Sequence, residues 1–115
     1  GNELLFYVPT TEPDPVFLEE LTNVKAVEGS SAEFNCEISK PHLRVRWLLG
    51  NREIRRSDKF KLSSDGYNRT LVIRDLTVYD EGVVSIVVPG TSLRSDAELT
   101  VIGIQCLHRC VLQLA

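Results

Sequence analysis

Between residues 32 and 38 the chain alternates without a break. Ala32, Phe34, Cys36 and Ile38 are apolar, and Glu33, Asn35 and Glu37 between them are polar. A period of two puts one set on a buried face and the other in water, so the spacing predicts a half-buried strand. Eleven residues after Cys36 comes Trp47, the only tryptophan. Val45 and Trp47 alternate with Arg44 and Arg46, so the next strand also turns one face inward. A small thiol on one layer and an indole on the next give a two-layer β protein something to close around.

Short strand-like segments follow one another at regular spacing with turn residues between them, which is the signal of a sandwich. They cover 16–19, 23–27, 31–38, 44–49, 52–55, 60–62, 70–73, 83–88 and 95–102. Gly50-Asn51 is a hairpin signal, Leu71 and Ile73 point inward, and Leu76 is expected to plug the bottom of the core. No segment inside the domain has the pattern of a helix. Residues 15–102 are expected to form one domain. Residues 1–14, which run through Pro13-Asp14 up to Pro15, read as a linker or the end of a preceding domain. Residues 103–115 read as a tail, either helical or disordered.

Composition narrows the function classes. The chain of 115 residues carries a net charge of −3, with a pI near 5.4. It gives no global electrostatic reason to expect a nucleic-acid or membrane-surface partner. No apolar run approaches the roughly 18 residues of a membrane helix, and no targeting signal is read. Because the chain opens at Gly1 it is expected to be excised from a longer one. The three cysteines, Cys36, Cys106 and Cys110, are an odd number, so complete internal pairing is ruled out. Cys106, His108 and Cys110 are close in sequence, but a structural zinc site needs four ligands and His42 is the only other histidine. Neither metal nor cofactor is expected. There is no Gly-rich phosphate loop, no nucleophile elbow, and no histidine grouped with an acid and a nucleophile, so the chain is not expected to be an enzyme.

With Cys36, Trp47, Leu71-Val72-Ile73-Arg74-Asp75-Leu76, Asp80-Glu81-Gly82 and Ala97-Glu98-Leu99-Thr100-Val101, the chain resembles an immunoglobulin-like domain of the I-set, such as those of titin, obscurin and myosin-binding protein C. The resemblance implies an all-β, two-sheet antiparallel sandwich with Cys36, Trp47, Leu71, Ile73, Leu76, Asp80, Gly82, Val84 and Ile86 as its core motif. It breaks at one place. The family pattern Asp-x-Gly-x-Tyr-x-Cys has Val84 at the tyrosine and Ile86 at the second cysteine, so the sandwich is expected to lack the inter-sheet disulfide. Losing such a bridge costs a small secreted domain about 2–5 kcal/mol, so the departure favours a reducing compartment.

Three features are candidates for binding. Arg44, Arg46, Arg52, Arg55 and Arg56, joined by Lys59 and Lys61, could present a cationic face to an acidic partner such as a filament surface, against Glu33, Glu37 and Glu53 that could neutralise it. The exposed sheet edges, 23–27 beside 95–101 and 52–55 opposite, offer strand pairing or self-association. In the tail, Cys106, Leu107, Cys110, Val111 and Leu114 fall on an apolar helical stripe that could associate with the domain or with another chain. The expected function is a non-catalytic structural and protein-interaction module of an intracellular, filament-associated multidomain protein, partnered by filaments or by neighbouring Ig or fibronectin-like domains, in the cytoplasmic sarcomere or cytoskeleton. The alternative is an extracellular adhesion or receptor domain, supported by the glycosylation sequon Asn68-Arg69-Thr70.

Overall fold

The computed structural model describes residues 13–104. Among them, nine strands build two sheets. In chain order these are β1 (Phe17–Glu19), β2 (Val24–Val27), β3 (Ala32–Ile38), β4 (Arg46–Leu49), β5 (Arg52–Glu53), β6 (Phe60–Asp65), β7 (Asn68–Ile73), β8 (Gly82–Val87) and β9 (Arg94–Ile102). One sheet runs β1-β3-β7-β6 and the other β2-β9-β8-β4-β5. Every ladder is antiparallel except that of β2, which runs parallel to β9. This is an immunoglobulin-like sandwich.

The alternation that marks β3 sets its pleat. Ala32, Phe34, Cys36 and Ile38 are buried, while Glu33 and Asn35 are exposed. Trp47 on β4 and Ile86 on β8 are neighbours across one ladder and belong to the same buried cluster as Cys36. Leu71, Ile73, Leu76, Val84 and Leu99 complete the interior, each contributing about 1.5–3 kcal/mol by leaving water. Leu76 is held at one pole by its own backbone, its N–H bonding Ser30 O and its carbonyl accepting from Gly29 N.

Several boundaries differ from the sequence expectation. The strand expected over 44–49 begins at Arg46, where its pairing with Val87 starts, and the preceding loop is held by the bond from Arg69 Nη2 to Leu43 O. The strand expected over 52–55 is confined to Arg52–Glu53, although Ile54 N still reaches Trp47 O. In the other direction, β6 and β7 extend to Asp65 and back to Asn68, since the tight turn at Gly66 lets the ladder run up to the loop. The turn before Gly82 contains a 3-10 turn, Val78–Asp80. Asn51 and Gly50 both have positive φ (69° and 58°), the geometry of a two-residue hairpin turn that matches strand twist.

Candidate protein-interaction surface

Cys36 is fully buried and free. Its cross-strand partner on β7 is Arg69, which is only 2% exposed. By alternation with Leu71 and Ile73 the arginine points inward, where a charge needs a full set of acceptors. It has them for both terminal nitrogens. Nη1 donates to Gly66 O (2.7 Å) and Asn68 O (2.9 Å), and Nη2 donates to Pro41 O (2.8 Å) and Leu43 O (2.9 Å). Nε is buried without an acceptor. The guanidinium thus fastens the β6–β7 turn to the loop that crosses from one sheet to the other. Burial pushes the Cys36 thiol up to about 11, although the Arg69 charge pulls the other way. Such a thiol is protonated and inert at neutral pH.

Asp80 is half-buried at the 3-10 turn. Its Oδ2 accepts from Thr77 N (2.8 Å) and Thr77 Oγ1 (3.2 Å) and pairs with Lys59 Nζ at 2.8 Å. Burial works against its charge, but the Lys59 ammonium and the Thr77 donors outweigh it, so its pKa is lowered. Lys59 also donates to Arg74 O (3.2 Å) and Asp75 O (3.0 Å). Lys59 is therefore occupied as a structural clamp and leaves the cationic group. Gly82 lies beside Leu49, with φ at 156°.

The remaining basic residues are spread over adjoining hollows of the surface. Arg44, Arg46, Arg52, Arg55 and Arg56 are all exposed, and none makes an ion pair with a described residue. Arg44 and Arg46 line a groove of about 500 Å³ with Glu53, Val88 and Pro89. Arg52, Arg55 and Arg56 line a second one of about 580 Å³. Arg44 and Arg56 meet at a smaller hollow beside Trp47 and Leu62. Lys61 stands next to Val72 on the other sheet. Of the acids expected to neutralise the group, Glu33 and Glu37 lie on β3, also in the other sheet, which leaves Glu53 alone beside the arginines.

The second groove contains what the sequence reading passed over. Leu49, Ile54 and Phe60 give it an apolar lining, and Tyr79 stands at its margin with 92% of its surface exposed. The only signal for Tyr79 was an aromatic residue in a polar turn with no apolar alternation around it. Of the expected sheet edges, β2 and β5 do close the second sheet on either side. The tail residues Cys106, Leu107, His108, Cys110, Val111 and Leu114 lie outside the described residues. Among the described residues no group of three metal-ligating side chains occurs, and no helix is long and apolar enough to cross a membrane.

The family model of the immunoglobulin I-set domain matches residues 15–102. Cardiac-type myosin-binding protein C of Rattus norvegicus is 27% identical over 92 residues, 80% of this chain and 7% of that one. The muscle M-line assembly protein unc-89 of Caenorhabditis elegans is 33% identical over 90 residues, 76% of this chain and 1% of that one. The chain therefore spans only a small fraction of the relatives it matches. Among solved structures, titin domain I10 superposes with a TM-score of 0.72 at 27% identity, covering 77% of this chain and 99% of the other. A complex of titin M10 with an obscurin-like 1 Ig domain gives 0.71 at 25% identity, over 77% of this chain and 94% of that one.

Proposed function

Because this chain belongs to the immunoglobulin I-set family, we propose that it is a non-catalytic structural and protein-interaction module of an intracellular, filament-associated, sarcomeric-type multidomain protein. In this reading residues 15–102 are the module, residues 1–14 are a linker or the end of a preceding domain, and residues 103–115 are a tail. The supporting observation is the missing bridge. Ile86 occupies the position opposite Trp47, Cys36 is left free, and both belong to a cluster of apolar side chains that holds without oxidation. Its sequence relatives are by name muscle proteins. The partners are other proteins, engaged through the exposed arginines or through the β2 and β5 edges, whose outer backbone groups are available for strand pairing.

Cosedimentation with purified thick and thin filaments tests this reading. The chain should pellet with one of them at low salt and release as salt screens the arginines, and the pair Arg55→Glu with Arg56→Glu should lose most of that binding. No pelleting with either filament would overturn the reading. A second reading, an extracellular adhesion or receptor domain, is favoured by one observation: Asn68 of the sequon is exposed at the start of β7.

A further inference from the structure

We infer that the groove between the β5–β6 connection and the 3-10 turn is a docking site for an acidic peptide segment carrying one apolar anchor residue. This rests on the protein-interaction reading above and names the chemistry of the partner.

The groove is where the two sheets part. Strand β5 is the last strand of one sheet and β6 the last of the other, and the space between them is lined by side chains that elsewhere would be sealed inside. Ile54 belongs to the buried cluster, and Leu49 and Phe60 pack against it from its open side. With a volume of about 580 Å³, the groove can take one large side chain with its flanking backbone. Small-ligand pockets span roughly 300–1,000 Å³.

Both walls are held. On one side the 3-10 turn, which carries Tyr79 at the rim, is pinned by the Lys59–Asp80 ion pair. On the other, Ser57 Oγ accepts from the N–H groups of Lys59 and Phe60, both at 3.2 Å, and Ser57 N bonds Phe60 O. The segment 57–60, which directly follows Arg55 and Arg56, is therefore a closed turn. A preformed groove loses little conformational entropy when it binds.

Charge selects the occupant. Arg52, Arg55 and Arg56 line the groove and have no carboxylate partner among the described residues. Of the acids in the lining, Asp80 is paired with Lys59, which leaves Glu53 and Glu81, the latter with Oε1 also accepting from Val101 N at 3.1 Å, as two carboxylates against three guanidinium groups. An anionic peptide would meet unpaired guanidinium groups around an apolar floor, and Tyr79 supplies the large amphipathic side chain that such interfaces favour. A basic or neutral peptide would gain only the floor.

The test uses the full chain and a fluorescein-labelled acidic peptide with one central phenylalanine, followed by anisotropy at low and moderate salt and by amide shifts. The expected result is saturable binding that shifts the amides of Arg55, Phe60 and Tyr79. Replacing the phenylalanine by serine should weaken it roughly tenfold, and the pair Arg55→Glu with Arg56→Glu should do so by at least that much. Tyr79→Ala, an exposed position with no role in the core, should weaken binding several-fold while leaving the melting temperature unchanged. Equal affinity for the serine peptide, shifts confined to Arg44 and Arg46, dimerisation of the chain in place of peptide binding, or binding that survives charge reversal would each overturn the proposal. Filament cosedimentation without peptide binding would remove this partner class and leave the module reading standing. Peptide binding without cosedimentation would keep the docking site and overturn the filament-associated part of that reading.

Discussion

Cys36 and Arg69 face each other across the β3–β7 ladder, and both are sealed from solvent. Where the family pattern would tie one sheet to the other through sulfur, this chain has a thiol without a partner. Beside it, a guanidinium fastens the same region through four backbone carbonyls. The clamp is noncovalent and unaffected by reduction.

Removing that clamp should be costly. Arg69→Met keeps much of the side-chain volume but strands the carbonyls of Pro41, Leu43, Gly66 and Asn68, and it should destabilise the domain by about 2–4 kcal/mol. Arg69→Lys should recover only part, because an ammonium cannot span the same acceptors. Urea unfolding of the three proteins checks this. A loss below about 0.5 kcal/mol for Arg69→Met, the size of an ordinary surface change, would show that the clamp is dispensable.

The Cys36 thiol should be silent to alkylating reagents in the folded state and should react only through unfolding. Its pKa is raised from the ordinary 9.0 to about 11, so the folded protein holds a proton that the unfolded chain releases. Stability from this group is present below pH 9 and is lost as pH rises toward 11. Replacing Cys36 with Ala should flatten the alkaline limb of the stability curve, with a separate, pH-independent cost for the cavity. Denaturation from pH 8 to 11 separates the two contributions.

Ile86→Cys restores the missing half of the family bridge. Under oxidising conditions it should pair with Cys36 and stabilise the domain by about 2–4 kcal/mol, and on reduction it should leave the protein less stable than the parent, since a smaller side chain replaces isoleucine beside Trp47. Non-reducing peptide mapping and melting with and without reductant check both halves. Failure to form the bridge would mean that Ile86 does not stand where the second sulfur belongs.

Asp80 governs the acid side. Its pKa is depressed in the fold, so its contribution is present above the unfolded-state value and disappears as pH falls through the folded one. Asp80→Asn should cost about 1–2 kcal/mol at neutral pH by breaking the contact with Lys59, and the difference from the parent should shrink below the ordinary carboxylate range. A constant difference across that range would show that the charge of Asp80 is not what matters.

How much of this could be read from residues alone depended on periodicity. Ala32 to Ile38 alternate perfectly, and the pleat of β3 followed directly. Trp47, Leu71, Ile73 and Ile86 could be oriented the same way, and the nine segments fell close to the observed strands. Arg69 was missed because a charged residue breaks the hydrophobic pattern. Continuing the alternation back from Ile73 through Leu71 would have placed it inside, but no sequence rule supplies the four carbonyls that make an inward arginine tolerable. The arginines were visible as a group, yet their division between two grooves depends on where β5 ends and on Lys59 being drawn to Asp80. Both are products of tertiary packing. The groove itself combines residues of β4, the β5–β6 connection and the 3-10 turn, and no local pattern joins them.

The most direct test of the whole account is mass spectrometry of the protein isolated from its native tissue, with thiols trapped at lysis and the peptide containing Asn68 sequenced intact. The account requires a free Cys36 and an unmodified Asn68. A glycan on Asn68 would contradict it and move the module to the cell exterior.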